Sequence, residues 1–244
     1  MSRVSDADLD QLDRFLAEYR VPPSLGAQAR ASLLKRVHRH VLAGLQVQAC
    51  FLASARAGTS TISGTIVDPS SESVSHLNEG FADLVGVLGC LVHGLYKPSN
   101  MLLRGSVENF VRGLAGLSSL EARETKSVYR LFELAAKEPP FLAASVNDFL
   151  SLQQVYGDLC LHVHSATPDH RGGAHHLSVY MRQDTAKMRS VVLAVERASR
   201  AMLSILVRSD RRLYTGCSPR VRDLLDEVLP SGVRLVALGA TSHL

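Results

Sequence analysis

Residues 74–96 read VSHLNEGFADLVGVLGCLVHGLY. This stretch is apolar nearly all round and has the length of a helix that belongs in the middle of a core. Its longest apolar run, Leu84 to Leu95, holds a histidine and is too short to span a bilayer. Downstream, Pro98-Ser99-Asn100 breaks the chain and caps a predicted helix over Met101–Leu117. Another helix is predicted from Ser119 to Lys137, where Pro139-Pro140 stops it, and a further one over Ser145–Ser165. The loops between Tyr96 and Ser145 are short, which favours antiparallel neighbours in an up-down bundle.

Upstream of this stretch, Ser5 caps a predicted helix reaching Tyr19, which Pro22-Pro23 ends. A long helix over Ser24–Ala57 follows, with Leu33, Leu34, Val37, Val41, Leu45 and Phe51 as its apolar stripe. The Gly-, Ser- and Thr-rich segment 58–73 reads equally well as a loop or a short hairpin. Beyond Ser165, TPDHRGGAHH (167–176) is a polar loop, and helices are predicted over Leu177–Arg208 and Pro219–Leu229. Val233–Leu238 could pair as a strand or dock on the bundle. The expected fold is all-α, with a single helical domain over residues 1–244.

Bulk properties agree with that reading. The apolar fraction is 46% and the charged fraction 20%, which suits a globular chain and excludes a disordered one. A net charge of +4 permits a nucleic-acid partner without demanding one. Cys50, Cys90, Cys160 and Cys217 form no CxxC pair and read as buried, reduced thiols. The opening MSRVSDADLD has no apolar signal region, so a cytoplasmic protein with no membrane partner is expected. Phosphate-binding, dinucleotide-binding and nucleophile-elbow motifs are absent, which removes the usual support for nucleotide hydrolysis, hydride transfer and esterase chemistry.

Polar residues that could do chemistry collect in three places. In 104–112, RGSVENFVR, Arg104, Glu108 and Arg112 recur every four residues and share one helix face. They form either a plain salt-bridge ladder or a charged stripe that needs a cleft, because the rest of the helix is apolar. In 156–165, YGDLCLHVHS, Tyr156, Cys160 and His164 share a face, whereas His162 points nearly opposite. That geometry argues against the two histidines chelating one metal. The loop Asp169-His170-Arg171-Gly172-Gly173-Ala174-His175-His176 matches no closed zinc spacing and reads as polar surface, so no metal and no cofactor is expected.

The pairing of R-[GS]-x-x-E-N with a later Y-x-x-L-[SC]-x-x-V-H resembles HEPN-like helical proteins of the bacterial abortive-infection and toxin kind. The matching residues are Arg104, Glu108 and Asn109, then Tyr156, Leu159, Cys160, Val163 and His164. The resemblance spans 74–165. It implies a HEPN-like four-helix core within 74–208, with 1–57 as an N-terminal helical extension and further helices at the C-terminus. It also implies a homodimer that cuts RNA without a metal, as a toxin or phage-defence effector restrained by an antitoxin or defence-complex partner. Arg104 and His164 would be catalytic, with Glu108, Asn109, Tyr156 and Arg112 in support. Such enzymes usually carry an Arg four to six residues before the His; here Arg104 would supply the guanidinium from another helix, oriented by Glu108. The alternative is a catalytically silent helical protein-interaction or regulatory module.

Overall fold

The computed structural model describes residue 14 and residues 27–62, 64–163 and 184–239. The predicted first helix apart from Arg14, the His-rich loop, the start of the Leu177 helix and His164 lie outside the described residues. Within them run α1 (Ala27–Arg56), β1 (Thr61–Ile62), β2 (Thr65–Ile66), α2 (Glu72–Val92), α3 (Tyr96–Gly116), α4 (Leu120–Glu124) and α5 (Val128–Ala135). There follow α6 (Pro139–Leu142), α7 (Val146–Val163), α8 (Thr185–Ser209), α9 (Arg212–Thr215), α10 (Pro219–Val228) and α11 (Ser231–Ala237). The fold is all-α. Its one sheet among the described residues is the antiparallel two-residue pair β1–β2, turned by Gly64 at φ 86°.

The five long helices close a ring in which α1 packs on α2, α2 on α3, α3 on α7, α7 on α8 and α8 back on α1, with α3 also touching α8 across the middle. Side-chain pairings give the directions. Gln48 meets Asn78, so α1 and α2 run antiparallel, as the Gly44 contact with Phe81 requires. Arg197 meets Asp158 and Arg208 meets Asp148, so α7 and α8 are antiparallel too. Arg36 pairs with Glu196 and His40 with Ser199, which sets α1 parallel to α8. One apolar core fills the ring, with Leu33, Phe51, Leu84, Phe110, Leu152 and Met202 among its buried members.

The α2–α3 seam is the tightest. A Cβ on Gly113 would stand 2.6 Å from the Ser73 carbonyl oxygen, and one on Gly80 would stand 3.0 Å from that of Ser106. Only glycine lets the two backbones approach this closely, and Ser106 uses the proximity to donate from Oγ to the Gly80 carbonyl at 2.7 Å. The broad apolar face of α8 is covered largely within the chain: Val191, Val192, Val195, Met202, Leu203 and Leu206 are all buried.

Several element boundaries differ from the sequence reading, each for a physical reason. Pro98 does not break the chain: α3 starts at Tyr96, and Pro98 sits in its first turn, where no backbone N–H is needed. The helix predicted over Ser119–Lys137 is two, because Ser127 caps α5 by accepting from the Arg130 N–H. Pro139-Pro140 starts the short helix α6 instead of merely stopping its predecessor. Val233–Leu238 falls mostly in helix α11, which docks on α8. Leu45 turns outward, while Gly44 and Val47 face the core. Cys217 is buried, and the other three thiols are half-buried and free.

Candidate functional site at the α3–α7 seam

Helices α3 and α7 lie antiparallel. Asn100, in the second turn of α3, shares a groove with Leu159 and His162 near the end of α7, and Glu108, two turns later, reaches back to Tyr156. The four-residue spacing of Arg104, Glu108 and Arg112 places all three along this seam.

Arg104 donates from Nε to the Tyr156 hydroxyl at 3.1 Å, and its guanidinium carbon lies 5.3 Å from the centroid of the same ring. The hydroxyl in turn donates to Glu108 Oε2 at 3.4 Å. Glu108 also accepts from Arg112 Nη2 at 3.1 Å. Arg112 is buried, and its Nη1 donates to the main-chain carbonyls of Arg123 at 3.0 Å and Thr125 at 2.6 Å. It thereby ties α3 to the end of α4. Phe132 of α5 backs Tyr156, ring centroid to ring centroid, at 5.4 Å.

Burial pushes the Tyr156 hydroxyl up to about 12, helped by Glu108 and Cys160 and opposed by Arg104. The phenol is therefore neutral near pH 7 and acts as a hydrogen-bond relay between cation and carboxylate, not as a base. For Arg104, burial works against the charge, but the Tyr156 hydroxyl, Cys160 and Glu108 together outweigh it and the pKa is raised. The arrangement holds a guanidinium that is partly open to solvent, with its Nε engaged by the hydroxyl and its carbon over the Tyr156 ring. Such a group binds a phosphate through its remaining donors.

Of the residues singled out in the sequence, Arg104, Glu108, Arg112 and Tyr156 form one connected network. Glu108 does not orient Arg104 directly, as expected; the Tyr156 hydroxyl stands between them. Asn109 goes elsewhere. One residue on from Glu108, it is rotated by about 100° around the helix and faces α2. There Nδ2 donates to Asp83 at 3.4 Å, and Oδ1 lies 3.2 Å from His76 Nδ1. Burial, opposed by Asn109, raises the Asp83 pKa. His164 lies outside the described residues. Asp83, His76 and Phe132 were missed in the sequence. Helical phase gave Asn109 a different face, but nothing local named its partners.

Comparison with protein-family models, with curated proteins and with solved structures finds no match to the chain. Among the described residues no cluster of His, Cys, Asp and Glu could hold a metal, and no helix is long and apolar enough to cross a membrane.

A second feature borders the site. A groove of about 320 Å³ runs between α7 and α8, with Asp158 and His162 on one wall, Leu193 and Arg197 on the other, and Asn100 of α3 also lining it. His162 thus faces α8. Asn100, which lines the groove, is one helical turn from Arg104 on α3.

Proposed function

We propose that this chain is a metal-independent endoribonuclease of the HEPN-like kind, working in the cytoplasm as a toxin or phage-defence effector. The observation that carries the reading is the antiparallel α3–α7 seam, which holds Arg104 against Tyr156; His164 follows Tyr156 by eight residues in the sequence. In the proposed reaction Arg104 clamps the scissile phosphate and stabilises the charge that builds on it. His164, an imidazole that titrates near neutrality, takes the proton from the ribose 2′-hydroxyl. The 2′-oxygen attacks phosphorus, the bond to the 5′-oxygen breaks, and that oxygen takes up a proton. The products are a 2′,3′-cyclic phosphate and a 5′-hydroxyl. Tyr156 and Glu108 position the guanidinium, Arg112 anchors Glu108, and Asn109 supports α3 from its other side. RNA as substrate, a homodimer and a restraining antitoxin or defence-complex protein belong to the same proposal.

Incubation of the purified chain with unpaired RNA in excess chelator tests it. Cleavage leaving cyclic-phosphate ends, abolished by His164→Ala, is the expected result. Cleavage that stops with chelator would overturn the reading in favour of a metal-dependent hydrolase. An absence of cleavage would favour a silent helical interaction module. That second reading draws on one observation: Glu108 and Arg112 are engaged with partners inside the bundle, as they would be in a purely structural network.

A further inference from the structure

Charge is distributed unevenly over the ring. Residues 27–56 and 184–239, which form α1 and α8–α11, carry fifteen Lys and Arg against six Asp and Glu. Residues 57–163, which form α2–α7, carry seven against eleven. Because α1 packs on α8 and α10, and α11 on α8, the positive residues gather on one side of the molecule. Helix α1 contains no acidic residue at all. Where α1 meets α8, Arg36, Arg39 and Arg200 all act electrostatically on the buried His40, against one carboxylate, Glu196. Arg36 binds Glu196 and Arg39 binds Glu227. Arg189 and Arg200 are exposed and close no ion pair with the described residues; they lie on the α8 stripe that also carries Glu196. A charge imbalance of this size creates a field that draws in a polyanion.

We propose that unpaired RNA docks along the α1–α8 seam through its phosphates, held by the exposed Arg189 and Arg200 in the positive field to which Arg36 and Arg39 add, and reaches Arg104 across the α7–α8 groove. This rests on the ribonuclease reading and adds the surface that brings substrate to the site. Two features favour a phosphate backbone over other anionic partners. Thirteen of the fifteen basic residues on this side are arginine, whose planar fork matches phosphate oxygens. Its two aromatic residues, Phe51 and Tyr214, are buried, so it offers neither the interfacial anchors of a membrane-binding surface nor a base-stacking platform. Recognition is therefore by charge and independent of sequence.

The test uses the full chain and a fluorescein-labelled oligouridine of about twenty nucleotides, with every 2′-hydroxyl methylated so that it cannot be cut, in an anisotropy titration over a range of salt. The wild type is expected to bind, and to bind more weakly as salt rises. Arg189→Glu with Arg200→Glu should weaken binding at least tenfold. It should also flatten the slope of log affinity against log salt by about 1.4, since each lost single-strand phosphate contact contributes about 0.7. Both side chains are exposed and close no ion pair with the described residues, so the thermal midpoint should hardly move. Lys126→Glu with Lys137→Glu, exposed at the two ends of α5 and away from the α1–α8 pairing in sequence, should leave binding unchanged. Absence of wild-type binding, or an equal loss in the Lys126/Lys137 control, overturns the proposal. So does binding to phosphatidylserine vesicles in place of the oligonucleotide. Binding of methylated RNA without cleavage of ordinary RNA would retire the nuclease reading and keep the docking surface. Cleavage of ordinary RNA that is indifferent to Arg189 and Arg200 would do the reverse.

Discussion

Helix α3 meets α2 through glycines and meets α7 through arginine, glutamate and tyrosine. On the α2 side the nearest neighbours of Gly80 and Gly113 include backbone atoms, which cannot step aside for an added methyl group. On the α7 side the contacts are made by the ends of long, half-buried side chains, which can be exchanged with little disturbance to the helices carrying them. The first seam therefore decides whether the bundle forms, and the second decides what its surface does. A substitution on one side should be felt in stability, and on the other in chemistry. That contrast can be broken experimentally.

The largest effect is expected from Arg104→Ala. If Arg104 clamps the phosphate, its loss should lower kcat/KM for RNA cleavage by about two orders of magnitude or more, as removal of a donor to a developing oxyanion does. The unfolding midpoint should hardly change, because the side chain is only half-buried. A cleavage rate equal to wild type would make the α3–α7 seam a packing contact like the other.

Next in size is Gly113→Val. Its Cβ would enter a space where the Ser73 carbonyl oxygen and the Leu77 backbone nitrogen both lie within 2.8 Å, so α2 and α3 must part. A loss of about 2–3 kcal/mol, at the upper end for overpacked cores, is expected from denaturant titration. Activity per folded molecule should be retained. An unchanged midpoint would mean that the seam is slack and that its glycines are not structural.

Arg112 tests where the boundary between the two sides lies. It belongs to the charged stripe by spacing, yet its Nη1 satisfies two carbonyls at the end of α4. Arg112→Met keeps the length and strands those carbonyls along with Glu108, at a cost of about 1–3 kcal/mol. The expected signature is structural: a lower midpoint with a much smaller change in kcat than Arg104→Ala. Should cleavage collapse while the midpoint holds, Arg112 would belong to the phosphate site.

The two seams were also unequally legible in the sequence. Long periodic segments fixed α1, α2, α3 and α7 to within a few residues, because helix-forming patterns of that length admit little else. The shared face of Arg104, Glu108 and Arg112 followed from four-residue spacing, and the antiparallel α3–α7 pairing was among the geometries the short loops favoured. What spacing could not supply was the partner across the gap. Tyr156 was visible as a face-mate of Cys160, but its insertion between Arg104 and Glu108 depends on how deeply two helices interlock. Asp83 and His76 were overlooked for the same reason: they become neighbours of Asn109 only once α2 and α3 touch. Proline was misread twice, at Pro98 and at Pro139-Pro140, because a residue without an N–H ends one helix and suits the first turn of the next equally well.

The smallest expected effect discriminates most finely. Tyr156→Phe removes one oxygen and keeps the ring, so the Phe132 contact and the stacking surface under Arg104 survive. Arg104 Nε and Glu108 Oε2 lose their shared partner, but both are half-exposed and water can replace it. Stability should therefore fall by about 1 kcal/mol or less, the net worth of an ordinary hydrogen bond. If the hydroxyl positions Arg104 for the transition state, kcat should drop several-fold with KM nearly constant, since the phosphate can still be bound but is held less well. The pH profile of cleavage should not change shape, because a phenol pushed up to about 12 carries no titration near neutrality. Glu108→Gln should give a similar kcat loss, and combining the two should add little, because both cut the same relay. Fully additive losses would show that Glu108 and Tyr156 act separately, and the network joining them would then be only a feature of packing.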